Sequence, residues 1–264
     1  MRPFTALPAN ALAEVLGVAS DLDDTLTVHG ALHPEAVVAL HALSRAGVPV
    51  VLATGRPVGW AEVLARLLPV RAVVAENGAA WVLREASGVR AAFRCDAPTR
   101  DAQRRTLDAL VATLSARFPV LRRVEDWTVR ATDVALDVGE RARVPRPVVD
   151  EACAWVRAQG LHAIASSVHM HVSVEAPDKV LGLQRALQDL GLDSTQLPTK
   201  WVYVGDSPND AGPFGALALA VGVRGVEAYT GRMTMPPFTT EGGAGEGFVE
   251  VARAVLGARG EVLW

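Results

Sequence analysis

The sequence predicts an α/β fold, a parallel sheet into which a separate α+β module is inserted. Three observations carry that expectation. Short, near-continuous apolar segments alternate with amphipathic ones over the first 78 residues, the pattern of parallel strands covered by helices on both faces. After Gly78 the texture changes to hairpin-like pairs of segments separated by polar amphipathic stretches. From Asp178 the first pattern resumes. The core is therefore assigned to residues 1–79 and 176–264, and the insert to residues 80–175.

Taken in order, Val15-Leu16-Gly17-Val18-Ala19 is a strand-sized apolar run that ends in Ser20-Asp21-Leu22-Asp23-Asp24-Thr25-Leu26. Segment 34–46 carries apolar residues at helical spacing, with Pro34 suited to the first turn and Gly47 to the stop. A strand at 48–53 is cut off by Thr54-Gly55-Arg56-Pro57. A helix at 58–68, a strand at 72–75 and the turn Glu76-Asn77-Gly78 follow. In the insert, 79–84 and 89–94 flank Glu85-Ala86-Ser87-Gly88 as a hairpin. Segment 98–118 reads as an arginine-rich helix, 121–125 and 128–138 as strands, 147–159 as a helix, and 161–166 and 169–174 as a closing strand pair. Such an order suits an antiparallel sheet with helices on one side. Back in the core come a helix at 179–190, a strand at 201–204 ending in Gly205-Asp206, a short helical turn at 209–215, a strand at 217–221 and a helix at 248–256. The Gly-, Thr- and Pro-rich residues 229–247 read as loop.

The composition is that of a globular chain: 264 residues, 50% hydrophobic and 21% charged, which excludes a disordered or fibrous protein. A formal net charge of −3 gives no basic field for nucleic acid or an anionic membrane. No apolar run reaches membrane-spanning length. Residues 1–14, with Pro3, Pro8 and Glu14, lack the layout of a signal peptide. Cys95 and Cys153 stand alone, without metal-ligand spacing. The expectation is a cytoplasmic protein, monomer or homodimer, with no nucleic-acid or membrane partner.

The chemistry gathers at the strand ends, where open parallel sheets bind ligands. Asp21 and Asp23 lie two apart, so an extended backbone turns both the same way while Leu22 turns inward. Adjacent carboxylates repel unless a cation compensates them, and Mg²⁺ suits one or two carboxylates plus phosphate oxygens. The same residues also fit a solvated acidic turn. Thr54 with the Gly55 N–H could hold a phosphoryl oxygen, or Thr54 could cap the following helix. Lys179 could neutralise Asp21 and a phosphate, or lie in solvent. Gly205-Asp206-Ser207-Pro208-Asn209-Asp210 offers a Mg²⁺ platform, or a turn whose side chains bond their own backbone.

The four motifs together, Asp21-Leu22-Asp23-Asp24-Thr25-Leu26-Thr27, Ala53-Thr54-Gly55-Arg56, Lys179 and Gly205-Asp206-Ser207-Pro208-Asn209-Asp210, resemble the haloacid dehalogenase superfamily of phosphatases. The likeness covers residues 15–80 and 176–225. It implies a Rossmann-like core with an inserted α+β cap of the C2B type, as in the Cof-type, sucrose-phosphate and mannosyl-3-phosphoglycerate phosphatases. It further implies Asp21 as nucleophile and Asp23 as general acid and base. Thr54, Gly55, Lys179 and Asn209 would hold phosphate. Mg²⁺ would be bound by Asp21, the backbone carbonyl of Asp23, and Asp206, with Asp210 supporting. The implied substrate is a small phosphomonoester, a sugar phosphate or phosphorylated glycoside. A sugar phosphomutase and a non-catalytic binding protein are the other readings of this fold.

Outside the motifs, His169 and His171 share a strand face and suit a sheet face or substrate contact better than a metal pair. Arg122, Arg123, Arg130, Arg141 and Arg143 make the insert locally basic, which fits either a solvated surface or a receiver for an acidic substrate group. Trp60, Trp127 and Trp155 read as packing residues rather than sugar platforms, although Trp127, in a turn of the insert, could be one.

Overall fold

The computed structural model describes residues 1–262. At its centre is a nine-stranded sheet in the order Arg2–Pro3, Phe238–Gly243, Leu219–Arg224, Trp201–Gly205, Gly17–Ser20, Val50–Ala53, Ala72–Ala75, Ala80–Glu85, Gly88–Phe93. Pairing is parallel from Arg2–Pro3 to Ala72–Ala75 and antiparallel for the last two strands.

The central strands are apolar at nearly every position because alternate residues enter two different cores. Val18, Val50, Leu52 and Val204 meet the helices Pro34–Arg45, Val58–Leu67 and Ala244–Gly257 on one face. Ala19, Val51, Ala53 and Tyr203 meet Lys179–Asp189 and Ala211–Ala216 on the other. Local signals set the helix limits. Pro34–Arg45 starts on its proline, carries Glu35 in the first turn and Arg45 in the last, and stops before Gly47 at φ +72°.

The smaller module has its own antiparallel sheet, ordered His162–Ala165, His169–Ser173, Asp133–Asp137, Arg122–Arg123. Helices Ala97–Arg117 and Arg146–Ala158 cover one of its faces, where Leu107, Leu114, Ala152 and Val156 pack on Leu136 and Val172. The helix-free face carries Asp133, His169 and His171, and it lies against the ends of the parallel strands. A Cβ on Gly55 would come within 2.6 Å of His171 Nε2.

Three expectations are corrected, and one strand is new. The hairpin expected to open the insert belongs to the core sheet: Ala80–Glu85 pairs with Ala72–Ala75. The reason is readable in Ala80-Trp81-Val82-Leu83, where Val82 enters one core and Trp81 and Leu83 the other. The loop expected at 229–247 contains the strand Phe238–Gly243, and the last helix begins at Ala244. That strand lies near the sheet edge and buries mainly Phe238 and Thr240, too little to leave an apolar run. Segment 121–138 holds only Arg122–Arg123 and Asp133–Asp137 as strands, with a 3₁₀ turn over Glu125–Val129 between them. Arg2–Pro3, which gave no strand signal, pairs with Phe238–Thr239. Among the described residues, no helix is long and apolar enough to cross a membrane.

Candidate active site

Asp21 follows directly on the strand Gly17–Ser20, and its N–H donates to the Val204 carbonyl at 2.8 Å, extending the parallel pairing by one residue. The chain then turns tightly, with the N–H groups of Leu26 and Thr27 both bonded to the Leu22 carbonyl and Leu22 buried beneath. Asp206 leaves the neighbouring strand Trp201–Gly205. A 3₁₀ turn over Pro208–Asp210, with a capping box between Ser207 and Asp210, brings Asp210 back to the same point. Lys179 opens its helix, whose N-cap is Asp178.

These elements converge. The Lys179 ammonium donates to Asp21 Oδ1 at 2.8 Å and to Asp210 Oδ1 at 2.7 Å. Asp210 also accepts from the Tyr203 hydroxyl at 2.5 Å and, through Oδ2, from the Asp206 N–H at 3.0 Å. Lys179 and both of its carboxylate partners are buried, so the surface reading of Lys179 does not hold. One carboxylate oxygen each from Asp21, Asp206 and Asp210 falls within 4.8 Å of the others. Burial pushes the Asp21 carboxyl up to about 7, with Asp210 and Asp23 adding to the rise and Lys179 opposing it. Burial and then the charges of Asp21 and Asp210 raise Asp206 well above the carboxylate range. For Lys179, burial works against the charged form, but Asp21 and Asp210 outweigh it and raise its pKa.

The cluster fits a hard cation on the chemistry of its donors. Asp206 Oδ1 is buried and has no hydrogen-bond partner, a costly condition that a ligated ion removes. Asp210, in contrast, already accepts four hydrogen bonds, which makes it a scaffold for Asp206 and Lys179. The Asp23 carboxylate stands outside this cluster. The Arg56 guanidinium holds it through Nε to Oδ2 at 2.9 Å and Nη2 to Oδ1 at 2.7 Å. The same Nη2 reaches Glu140 Oε1 at 2.8 Å, and Glu140 Oε2 meets His169 Nε2 at 2.8 Å. First the His169 hydrogen bond and then Arg56 hold the Glu140 carboxyl down at about 2.

Among the expected phosphate ligands, Thr54 is fully buried and its hydroxyl oxygen accepts the Arg56 N–H at 3.0 Å. Gly55 is pressed against His171, and its carbonyl accepts from Arg130 Nη1 at 3.1 Å. Asn209 donates to Asn77 Oδ1 at 3.2 Å, and Asn77 Nδ2 is buried without a partner. Asn77 and Arg56 were visible only as parts of short motifs. Glu76 was visible in the same turn as Asn77, whereas Asp133 and Glu140 gave no sequence signal of a site.

A second buried network ties the smaller module to these motifs. Glu76, at φ +49°, accepts the N–H of Val58 at 3.1 Å from the core and those of Ala131 at 2.9 Å and Thr132 at 2.6 Å from the smaller module. Burial raises its carboxyl pKa. Arg130 bonds both Gly55 O and Asp133 Oδ1, and Asp133 Oδ2 meets His171 Nδ1 at 2.9 Å. Although burial opposes it, the Arg130 charge and the His171 hydrogen bond bring Asp133 down to about 2. Burial brings His171 down to about 4, against the pull of Asp133. Above that pH His171 is neutral and donates its Nδ1–H to the carboxylate. The histidine pair is thus occupied by two carboxylates, in keeping with a sheet face.

This sets a pH dependence. Because the folded protein holds His171 below its ordinary value of 6.5, the unfolded chain binds the extra proton. The His171 contribution is therefore present above pH 6.5 and lost as the pH falls toward 4. The shift corresponds to roughly 3 kcal/mol. Urea unfolding across this range should show a loss of that order in the wild type relative to His171→Gln; parallel pH profiles would contradict the neutral, buried histidine.

Comparison with known proteins places this geometry. Residues 18–90 match the haloacid dehalogenase-like hydrolases. A phosphoglycolate phosphatase of Pyrobaculum neutrophilum is 30% identical over 240 residues, 89% of this chain and 93% of its own length. The chain belongs to the haloacid dehalogenase-like hydrolases. Within this superfamily it is a phosphatase. A phosphoglycolate phosphatase of Methanosarcina mazei is 26% identical over 87% of this chain and 92% of its own. Among solved structures, Thermoplasma acidophilum 0175 superposes with a TM-score of 0.69 at 16% identity, covering 91% of this chain and 98% of that one. At that coverage the likeness, which is one of fold alone, reaches the smaller module as well as the core.

Proposed function

We propose that this phosphatase is Mg²⁺-dependent and hydrolyses a small phosphomonoester through an aspartyl-phosphate on Asp21. The observation that carries the reading is the convergence of Lys179 and the unpartnered Asp206 oxygen on Asp21. An Asp21 oxygen attacks phosphorus, and the bond to the leaving oxygen breaks as Asp23 gives that oxygen a proton. Asp23 then takes a proton from water, which attacks the phosphorus of the aspartyl ester and returns Asp21 as carboxylate. Lys179 balances charge on Asp21 throughout. Thr54 and Asn209 would orient phosphoryl oxygens. Mg²⁺, held by Asp21 and Asp206 with Asp210 behind them, would let an anionic carboxylate approach an anionic phosphate.

The smaller module acts as the cap, closing over the site through Glu76, Arg130 and Glu140. The cavity beside Asp23, about 680 Å³, is bordered by His29, Arg56, Glu140, Arg141 and Arg143. The cations in that border and the names of the curated relatives support a phosphorylated hydroxy acid such as phosphoglycolate. The sugar phosphates expected from the sequence are the comparison group.

The test is phosphate release from p-nitrophenyl phosphate, phosphoglycolate and a sugar-phosphate panel, with Mg²⁺ and with EDTA. The expected result is release that EDTA abolishes and Mg²⁺ restores, greatest on a phosphorylated acid. Release indifferent to EDTA would overturn the metal assignment.

A further inference from the structure

The pair Arg56–Glu140 stands where two cavities meet: the one beside Asp23, about 680 Å³, and an outer one of about 790 Å³ under Trp60 and Arg122. Both residues border both cavities. Arg56 is 3% exposed and stacks on Trp60, with its guanidinium carbon 4.5 Å from the ring centre. His169 is 1% exposed. Their donors are fixed, one on the core and one on the smaller module, and between them sits a single carboxylate, 2.8 Å from each.

We infer that the Glu140 carboxylate occupies the place that a carboxylate on the substrate's leaving group takes, with Arg56 and His169 as the pair that receives it. The inference rests on the proposed phosphatase reading and names the residues that would receive the carboxylate of its phosphorylated-acid substrate.

The position follows from Arg56. Its guanidinium holds both oxygens of Asp23, the group that protonates the leaving oxygen, and the Nη2 that reaches Asp23 Oδ1 also reaches Glu140 Oε1, so a carboxylate in that place lies one nitrogen away from the acid. That short reach matches an acid only an atom or two from the ester, not a bulky sugar. Glu140 itself is built to move aside. Its loop is held from below, since the Asp137 carboxylate accepts the N–H groups of Gly139, Glu140, Arg141 and Ala142. The Glu140 side chain, however, is 31% exposed at the cavity border, bonded to Arg56 and His169. Exchange of one carboxylate for another keeps both buried donors satisfied. A neutral leaving group either leaves Glu140 in place, crowding the cavity, or strands two buried donors.

The experiment measures kcat and KM for phosphoglycolate and for 2-hydroxyethyl phosphate, its neutral counterpart, in the wild type, Glu140→Gln, Glu140→Ala and His169→Gln, with p-nitrophenyl phosphate as a third substrate. Removing the competing charge should lower KM for phosphoglycolate about tenfold and change that for 2-hydroxyethyl phosphate far less. His169→Gln should raise KM for phosphoglycolate selectively. If the Glu140 variants weaken both substrates alike, or leave their ratio unchanged, Glu140 is only a tie between the modules and the inference fails. Mg²⁺-dependent p-nitrophenyl phosphate hydrolysis in the wild type keeps the two ideas apart. Its absence sinks the phosphatase mechanism, whereas its presence with unaltered selectivity sinks only the Glu140 assignment.

Discussion

Asp21→Asn is expected to lower turnover by about 10⁴-fold or more, the order seen when a covalent nucleophile is removed, while the fold survives. The side chain is nearly isosteric, and its neighbours remain in place. Without added Mg²⁺ the variant should also melt higher than the wild type. Burial and the nearby Asp210 and Asp23 charges hold Asp21 at about 7, so its charged form is disfavoured there even with Lys179 beside it. A neutral amide relieves that strain, an instance of stability given up for function. Steady-state kinetics and thermal melts check both halves. Substantial Mg²⁺-dependent turnover in the variant would remove Asp21 from its assigned role.

Lys179→Met should be damaging in a different way. The lysine is 2% exposed and bonds Asp21 and Asp210 at once. Its loss leaves two buried carboxylates without their counter-charge, a cost of about 3–5 kcal/mol. Mg²⁺ supplies part of the missing positive charge, so the metal should raise the melting temperature of Lys179→Met more than that of the wild type. Activity should drop about 10²–10³-fold even when the metal restores the fold, because the preorganised charge at Asp21 is gone. Equal responses to Mg²⁺ in the two proteins would contradict the shared site of lysine and metal.

The sequence made the parallel core legible for a physical reason. Strands such as Val50–Ala53 are covered on both faces, so each position must be apolar, and the break at Thr54-Gly55-Arg56 is abrupt. The acidic motifs were legible because Asp21, Asp206 and Asp210 are locally embedded at strand ends, where type and spacing show, whereas Lys179 stood out only through the family resemblance. What was not legible depended on distant pairing. The hairpin Ala80–Phe93 alternates into two cores, and only its partner strand tells which sheet it joins. Phe238–Gly243 is held by backbone hydrogen bonds near an edge and needs little apolar surface. Glu140 meets Arg56 across 84 residues, and Thr132 meets Glu76 across 56, with no local pattern to announce either. His169 and His171 were placed on one face correctly, yet their partners, Glu140 and Asp133, emerged only from the strand register and the 138–144 loop.

The account turns on a phosphoryl group carried by Asp21. Acid quench during turnover with Mg²⁺, followed by proteolysis and mass spectrometry, reads this directly. The expected result is one added phosphoryl group on the peptide containing Asp21, absent when Mg²⁺ is chelated and absent in Asp21→Asn. Rapid phosphate release with that peptide unmodified at every quench time, or the group found on another residue, would contradict the mechanism.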